Sequence, residues 1–132
     1  MIVADTDALV DFLRGREPGA TAVAAARHEA ELATTVVSVT ELTQGVRNER
    51  HGRAVRALLD ELRVLRLGRA AAEAAGAIRR GLWERGRDIG LADAVIAAIC
   101  LEHGAPLLTG NARHFEPVPD LLVRPLRAAS PA

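Results

Sequence analysis

The chain has 132 residues, one cysteine, and 17 basic against 17 acidic side chains, so its formal net charge is zero. That length suits one domain with its own core, needing neither disulfides nor structural zinc, and the charge balance excludes a globally basic nucleic-acid binder. No apolar run reaches the length of a membrane span and no charged-then-apolar leader opens the chain, which predicts a cytoplasmic protein without membrane attachment.

Ile2 to Asp5 reads as a short buried strand. A helix follows through Ala8 and Leu13, ended by Gly15 and the Pro18-Gly19 pair. Ala20 to Glu31 is alanine-rich and helical, and Ala33 to Val37 reads as the second strand because of its β-branched side chains. A helix is predicted from Ser38 to about Arg47. Val55, Leu58, Leu59 and Leu62 then recur at helical spacing, with arginine and acid on the other face. Val64 to Leu67 is a third short strand, and Ala70 to Arg85 a long polar-faced helix that stops at Gly86. Leu91 to Glu102 is apolar on nearly every side, the mark of a helix buried between other elements. Pro106 to Thr109 forms a fourth strand, Asn111 to Phe115 a short helical turn, and Leu121 to Arg124 a weakly patterned fifth strand. Residues 1–127 read as one domain without repeat or linker, and 128–132 as a frayed tail. Strands alternating with helices predict an α/β fold, a three-layer α/β/α sandwich around a small, mainly parallel sheet.

Acids stand where strands hand over to helices. They are Asp5 in Ala4-Asp5-Thr6-Asp7, Glu41 in Ser38-Val39-Thr40-Glu41, and Asp93 in Gly90-Leu91-Ala92-Asp93-Ala94. In an open parallel sheet, residues just past the carboxyl ends of the strands converge on one crevice. Three carboxylates meeting there repel one another unless a cation neutralises them. Magnesium and manganese favour carboxylate and water oxygens, and such ions acidify a water and stabilise a departing phosphate oxygen. Each acid also has a structural reading. Asp7 could cap the first helix, Glu41 lies at the capping-box spacing from Ser38, and Asp93 sits where a helix dipole favours negative charge. Capping does not explain why Asp5 closes an apolar strand, nor why all three acids share one edge of the sheet.

Four segments in order resemble a known family. They are Ala4-Asp5-Thr6-Asp7-Ala8-Leu9, Ser38-Val39-Thr40-Glu41-Leu42 with Gly45 behind it, Gly86 through Ala98, and Leu107-Leu108-Thr109-Gly110-Asn111-Ala112-Arg113-His114-Phe115. From Ile2 to about Val123 the chain resembles the PIN-domain ribonucleases, and among them the VapC toxins of bacterial toxin–antitoxin pairs. The resemblance implies RNA hydrolysis with Mg2+ or Mn2+, one ion or two. It places the metal-binding acids at Asp5, Glu41 and Asp93, with Thr6 as the neighbouring hydroxyl and Asn111 as the polar residue after the fourth strand. It further implies a homodimer and a VapB-like antitoxin whose tail covers the acidic pocket. Two positions depart from the pattern. His114 stands where many relatives carry an acid, which leaves a second ion's site open, and Asp7 replaces the more usual asparagine or serine. Glu116 or Asp7 are candidates to compensate. His114 is either a substrate contact or a solvated surface group.

Every basic residue is arginine. Arg79, Arg80, Arg85 and Arg87 crowd one helix end and the loop leading to Asp93, and are candidate RNA contacts through charge and shape. Trp83 within that stretch is either an exposed anchor for a partner or buried against the neighbouring helix. Three aromatic residues, Phe12, Trp83 and Phe115, are too few for single-strand recognition by base stacking. Cys100, in an apolar run without basic neighbours, reads as a core thiol. Two rivals stand beside the nuclease. Asp5-Thr6-Asp7 has the form used by aspartyl-phosphate phosphatases, and the size suits a receiver domain, but both normally hold the phosphoryl group with a lysine and this chain has none. The other rival is a catalytically impaired module that only binds RNA or antitoxin.

Overall fold

Ile2, Val3 and Ala4 are buried without exception, so the strand they form must be covered on both faces and both edges. In the computed structural model, which describes residues 1–127, that strand is the centre of the sheet. The elements are β1 (Ile2–Ala4), α1 (Thr6–Arg14), α2 (Gly19–Glu29), β2 (Leu32–Thr35), α3 (Val36–Gln44), α4 (Glu49–Glu61), β3 (Arg63–Leu65), α5 (Arg69–Glu84), α6 (Leu91–His103), β4 (Leu107–Thr109), α7 (Ala112–Phe115) and β5 (Val123–Pro125). All strand pairings are parallel, in the order β3-β2-β1-β4-β5. The chain winds outward from β1 through β2 and β3, then returns to β1's other side with β4. Between β1 and β4 the winding therefore reverses, which opens a crevice beyond their carboxyl ends.

Strand alternation divides the core in two. Ile2, Ala4, Leu32 and Leu108 face one way, packing with Leu9, Val23, Leu42, Val55 and Leu58 from α1 to α4. Val3, Ala33 and Leu107 face the other way, toward α5, α6 and Phe115. The three-layer reading holds. Residues 94 to 100 of α6 are buried continuously, as its all-round apolar pattern predicts. Cys100 lies within that run, and burial pushes its thiol up to about 12, as a core thiol requires. No helix among the described residues is long and apolar enough to cross a membrane. The tail from Ala128 lies outside the described residues.

Three local expectations are corrected. β2 ends at Thr35 rather than Val37, because Val36 and Val37 enter the first turn of α3 despite their β-branching. Thr35 is the cap, its Oγ1 accepting from Ser38 N at 3.3 Å. Ser38 is thus inside the helix, and the Ser38–Glu41 capping box does not form. At α1 the cap is Asp5, not Asp7.

The start of α2 follows a different rule. Pro18 offers it no side-chain cap, and its first amides are met instead by neighbours. Gly19 N donates to Asp11 Oδ2 on α1 at 3.1 Å, and Thr21 N to Glu17 Oε1 at 3.1 Å. This contact needs glycine, since an added Cβ at Gly19 would land on the Cβ of Asp11. Gly19→Ala is expected to lower stability by about 1–3 kcal/mol, as overpacking against a rigid neighbour does, measured as a lower urea midpoint. An unchanged midpoint would contradict this packing of α2 on α1.

Candidate metal site at the strand ends

The reversal between β1 and β4 decides which residues meet. Val3 is in register with Leu107 and Ala4 with Leu108, so the next positions, Asp5 and Thr109, lie side by side at the strand ends. Thr109 Oγ1 donates to Asp5 Oδ2 at 2.8 Å, and Thr6 N donates to Asp5 Oδ1 at 2.8 Å. Thr109 in turn accepts from Asn111 N at 3.0 Å, which bends the chain from β4 into α7. Both oxygens of Asp5 are therefore held from the protein side. Thr109 is a site residue that no sequence motif marks. Its position at the end of a central strand, adjacent in register to Asp5, is the signal that identifies it.

Glu41 arrives from the second turn of α3, where it is exposed. Thr6 Oγ1 donates to Glu41 Oε1 at 2.7 Å and lies 2.9 Å from Ser38 Oγ. A hydroxyl has one proton, so Thr6 gives it to the carboxylate and Ser38 supplies the second bond. The residue pair expected to cap a helix instead orients Glu41 through Thr6. Asp93 comes from the first turn of α6.

Asp5, Thr6, Asp7, Asp11, Glu41, Asp93 and Asn111 line one open cleft with Val10. Asp5, Glu41 and Asp93 are thus brought to the same place, with Thr6 and Asn111. Asp7 and Asp11, four residues apart on α1, share the helix face that meets the cleft. Asp7 Oδ2 accepts from Gly110 N at 3.0 Å, and a Cβ at Gly110 would stand 2.7 Å from that oxygen. Glu116 is exposed and is not part of the cleft wall.

Crowded acids in a partly dry cleft resist ionisation. Burial, then the Asp7 charge, push the Asp5 carboxyl up to about 6, against the hydrogen bonds from Thr109 and Thr6. Burial also raises Asp93 above the ordinary carboxylate range. His114 opposes that rise, and the Glu41 charge adds to it. A cation relieves this repulsion. The donors facing the cleft are all oxygen, which suits a hard ion. Among the described residues no group of three or more His, Cys, Asp or Glu side chains is close enough together, as the side chains stand, to hold an ion. An open carboxylate set of this kind fits magnesium or manganese, which keep several waters when bound.

The remaining candidates divide. His114 is half-buried, with Nε2 2.9 Å from Asp93 Oδ2 and 3.0 Å from the Ile89 carbonyl, so it is not simply a solvated surface group. Arg79 is committed within the fold. It pairs with Asp88 at 3.2 Å and lies over the Trp83 ring, 4.7 Å from its centroid. Arg85 donates to the Pro117 carbonyl at 3.1 Å. Arg80 and Arg87 are exposed. Trp83 is 54% exposed, which overturns its burial against the next helix.

A family model described as PIN domain matches residues 2–121. Ribonuclease VapC10 of Mycobacterium tuberculosis is 36% identical over 115 residues, which span 87% of this chain and 86% of that protein. A chain of VapBC-1 from nontypeable Haemophilus influenzae has a TM-score of 0.83 at 25% identity, covering 96% of this chain and 98% of that one. A chain of the DNA-bound VapBC of Salmonella typhimurium has the same fold, with a TM-score of 0.84 at 23% identity and coverage of 96% and 100%. Matches of this extent leave little of the sheet or its helices unaccounted for: the chain belongs to the PIN-domain family, as a homologue of the VapC ribonucleases.

Proposed function

We propose that this protein is the toxin of a toxin–antitoxin pair, a ribonuclease that cleaves RNA with Mg2+ or Mn2+ held by Asp5, Glu41 and Asp93. The observation that carries the reading is the placement of Asp5. It is an acid fixed through both oxygens at the reversal point of the sheet, and the other cleft acids gather around it. A bound ion would supply positive charge to the scissile phosphate and acidify an attacking water. The chain's own contributions are distinct. Asp5 is the rigid ligand, braced by Thr109. Glu41 is the adjustable one, aimed by Thr6 and able to act directly or through water. Asp93 closes the far wall from α6, and Asn111 offers a neutral polar group to the substrate.

Arg80 and Arg87 are the arginines free of the contacts that occupy Arg79 and Arg85, which supports them as the phosphate-binding pair. A VapB-like antitoxin is the proposed partner. An arginine-bearing tail would find in this cleft the acids it needs for bidentate pairing. The name of the Mycobacterium relative supports the ribonuclease activity, and the VapBC neighbours support the partner. The assembly proposed is a homodimer acting in the cytoplasm.

Asp5→Ala and Asp93→Asn are each expected to lower RNA cleavage by at least about 100-fold, the scale of losing a group that stabilises the transition state. Growth arrest on expression should vanish with it. Growth arrest and RNA ends identical to wild type in Asp5→Ala would overturn the metal-nuclease reading. Unchanged toxicity in Asp93→Asn would instead favour a module that acts by binding alone.

Protonation gives a second test. The folded Asp5 carboxyl titrates near 6, against an ordinary value of 3.8. The fold therefore favours its protonated form. Its contribution to stability is full below the unfolded value and is lost as pH rises through about 6. In chelator, the melting midpoint should fall as pH is raised from about 4 to 7, and Asp5→Asn should flatten that slope. Mn2+ affinity should run the other way, rising with pH as Asp5 ionises. The same slope in wild type and Asp5→Asn would contradict the placement of Asp5.

A further inference from the structure

The segment entering α6 is braced from three directions. Asp88 Oδ1 accepts from Gly90 N at 2.9 Å, while the Arg79 guanidinium grips the same carboxylate and stacks on Trp83. Gly90, at φ +82°, turns the chain into the helix in a conformation that favours glycine. Between these two residues the Ile89 side chain is buried in the core. The Ile89 carbonyl is consequently a fixed point beside Asp93.

His114 reaches that point from the opposite side. It precedes Phe115, which is fully buried and anchors the short α7. Its Nε2 stands 3.0 Å from the Ile89 carbonyl and 2.9 Å from Asp93 Oδ2. A peptide carbonyl can only accept, so Nε2 carries a hydrogen directed at Ile89, and Asp93 Oδ2 lies in ion-pair contact with the same nitrogen. The ring thus joins a braced carbonyl to an acid of the cleft. An acid in this place would add negative charge beside Asp93 and Glu41, whereas a ring N–H adds a donor and no repulsion.

We propose that His114 is a positioning residue that fixes the carboxylate of Asp93 for cation binding by tying one of its oxygens to the Ile89 carbonyl. This rests on the reading of Asp93 as a cation ligand. The braced loop makes the tie specific: Arg79 and Asp88, rather than contacting RNA, hold the carbonyl against which His114 is set. Carboxylates that bind metal depend on such hydrogen-bonded neighbours for orientation and affinity.

The test is Mn2+ titrated into the full chain without RNA, followed by calorimetry and by the electron paramagnetic resonance of the ion. Wild type is compared with His114→Ala, His114→Gln and Asp93→Asn. Glutamine carries an amide N–H at about the reach of Nε2. The His114 side chain is about one-third exposed, so truncation spares the core, and circular dichroism verifies the fold of each variant. His114→Ala is expected to bind Mn2+ roughly 10–100-fold more weakly, and His114→Gln to recover most of that loss. Cleavage by His114→Ala should fall at the same RNA sites, and His114→Gln should restore it. Equal Mn2+ affinity in wild type and His114→Ala would overturn the proposal, as would equally weak binding in His114→Ala and His114→Gln. If wild type and Asp93→Asn bind alike, the cation site itself fails, and the inference with it.

Discussion

The cleft depends on the confinement of one carboxylate, Asp5, at the end of the central strand. Its position is dictated by the sheet, since β1 is flanked by parallel strands on both sides and the Asp5 N–H still donates to the Leu108 carbonyl of β4 at 2.9 Å. Thr109 from β4 and the Thr6 amide hold it there. Burial makes ionisation costly, and the nearby acids make it costlier. The fold has therefore gathered acids around Asp5, with His114 beside Asp93 as the basic group nearest them, and the proposed divalent ion would relieve the repulsion that remains.

Different elements contribute different degrees of rigidity. Asp5 is set by strands, the stiffest part of the molecule. Asp93 is set by α6, a helix buried along most of its length and entered through the Arg79–Asp88 brace. Glu41 is exposed and guided by one hydroxyl, the least constrained of the three. A cleft with two firm walls and one adjustable wall suits a ligand sphere completed by water and a substrate phosphate.

Much of this was legible in the residues. Alternation of strand and helix patterns gave the layers, and the all-round apolar run from Leu91 to Glu102 gave the buried helix α6. The family resemblance brought Asp5, Glu41 and Asp93 together, and the fold puts them on one cleft. The failures have physical causes. Val36 and Val37 favour strands in isolation, yet a Thr35 cap and tertiary packing draw them into α3. Ser38 matched a capping-box spacing, but its hydroxyl serves the Thr6–Glu41 contact instead. The pairing of Arg79 with Asp88 and Trp83 is set by how α5 turns into α6, which spacing does not reveal. Thr109 and the His114–Asp93 contact join residues 104 and 21 positions apart, and only the sheet order and the seating of α7 bring them together.

The most direct measurement of the central claim is a crystal soaked in Mn2+, with diffraction recorded at the manganese absorption edge. The account predicts an anomalous peak in the cleft within ligating distance of Asp5 and Asp93, with Glu41 reaching it directly or through a water. A well-diffracting crystal with Asp5 and Asp93 ordered but no peak between them, or with the ion bound elsewhere on the molecule, would contradict it.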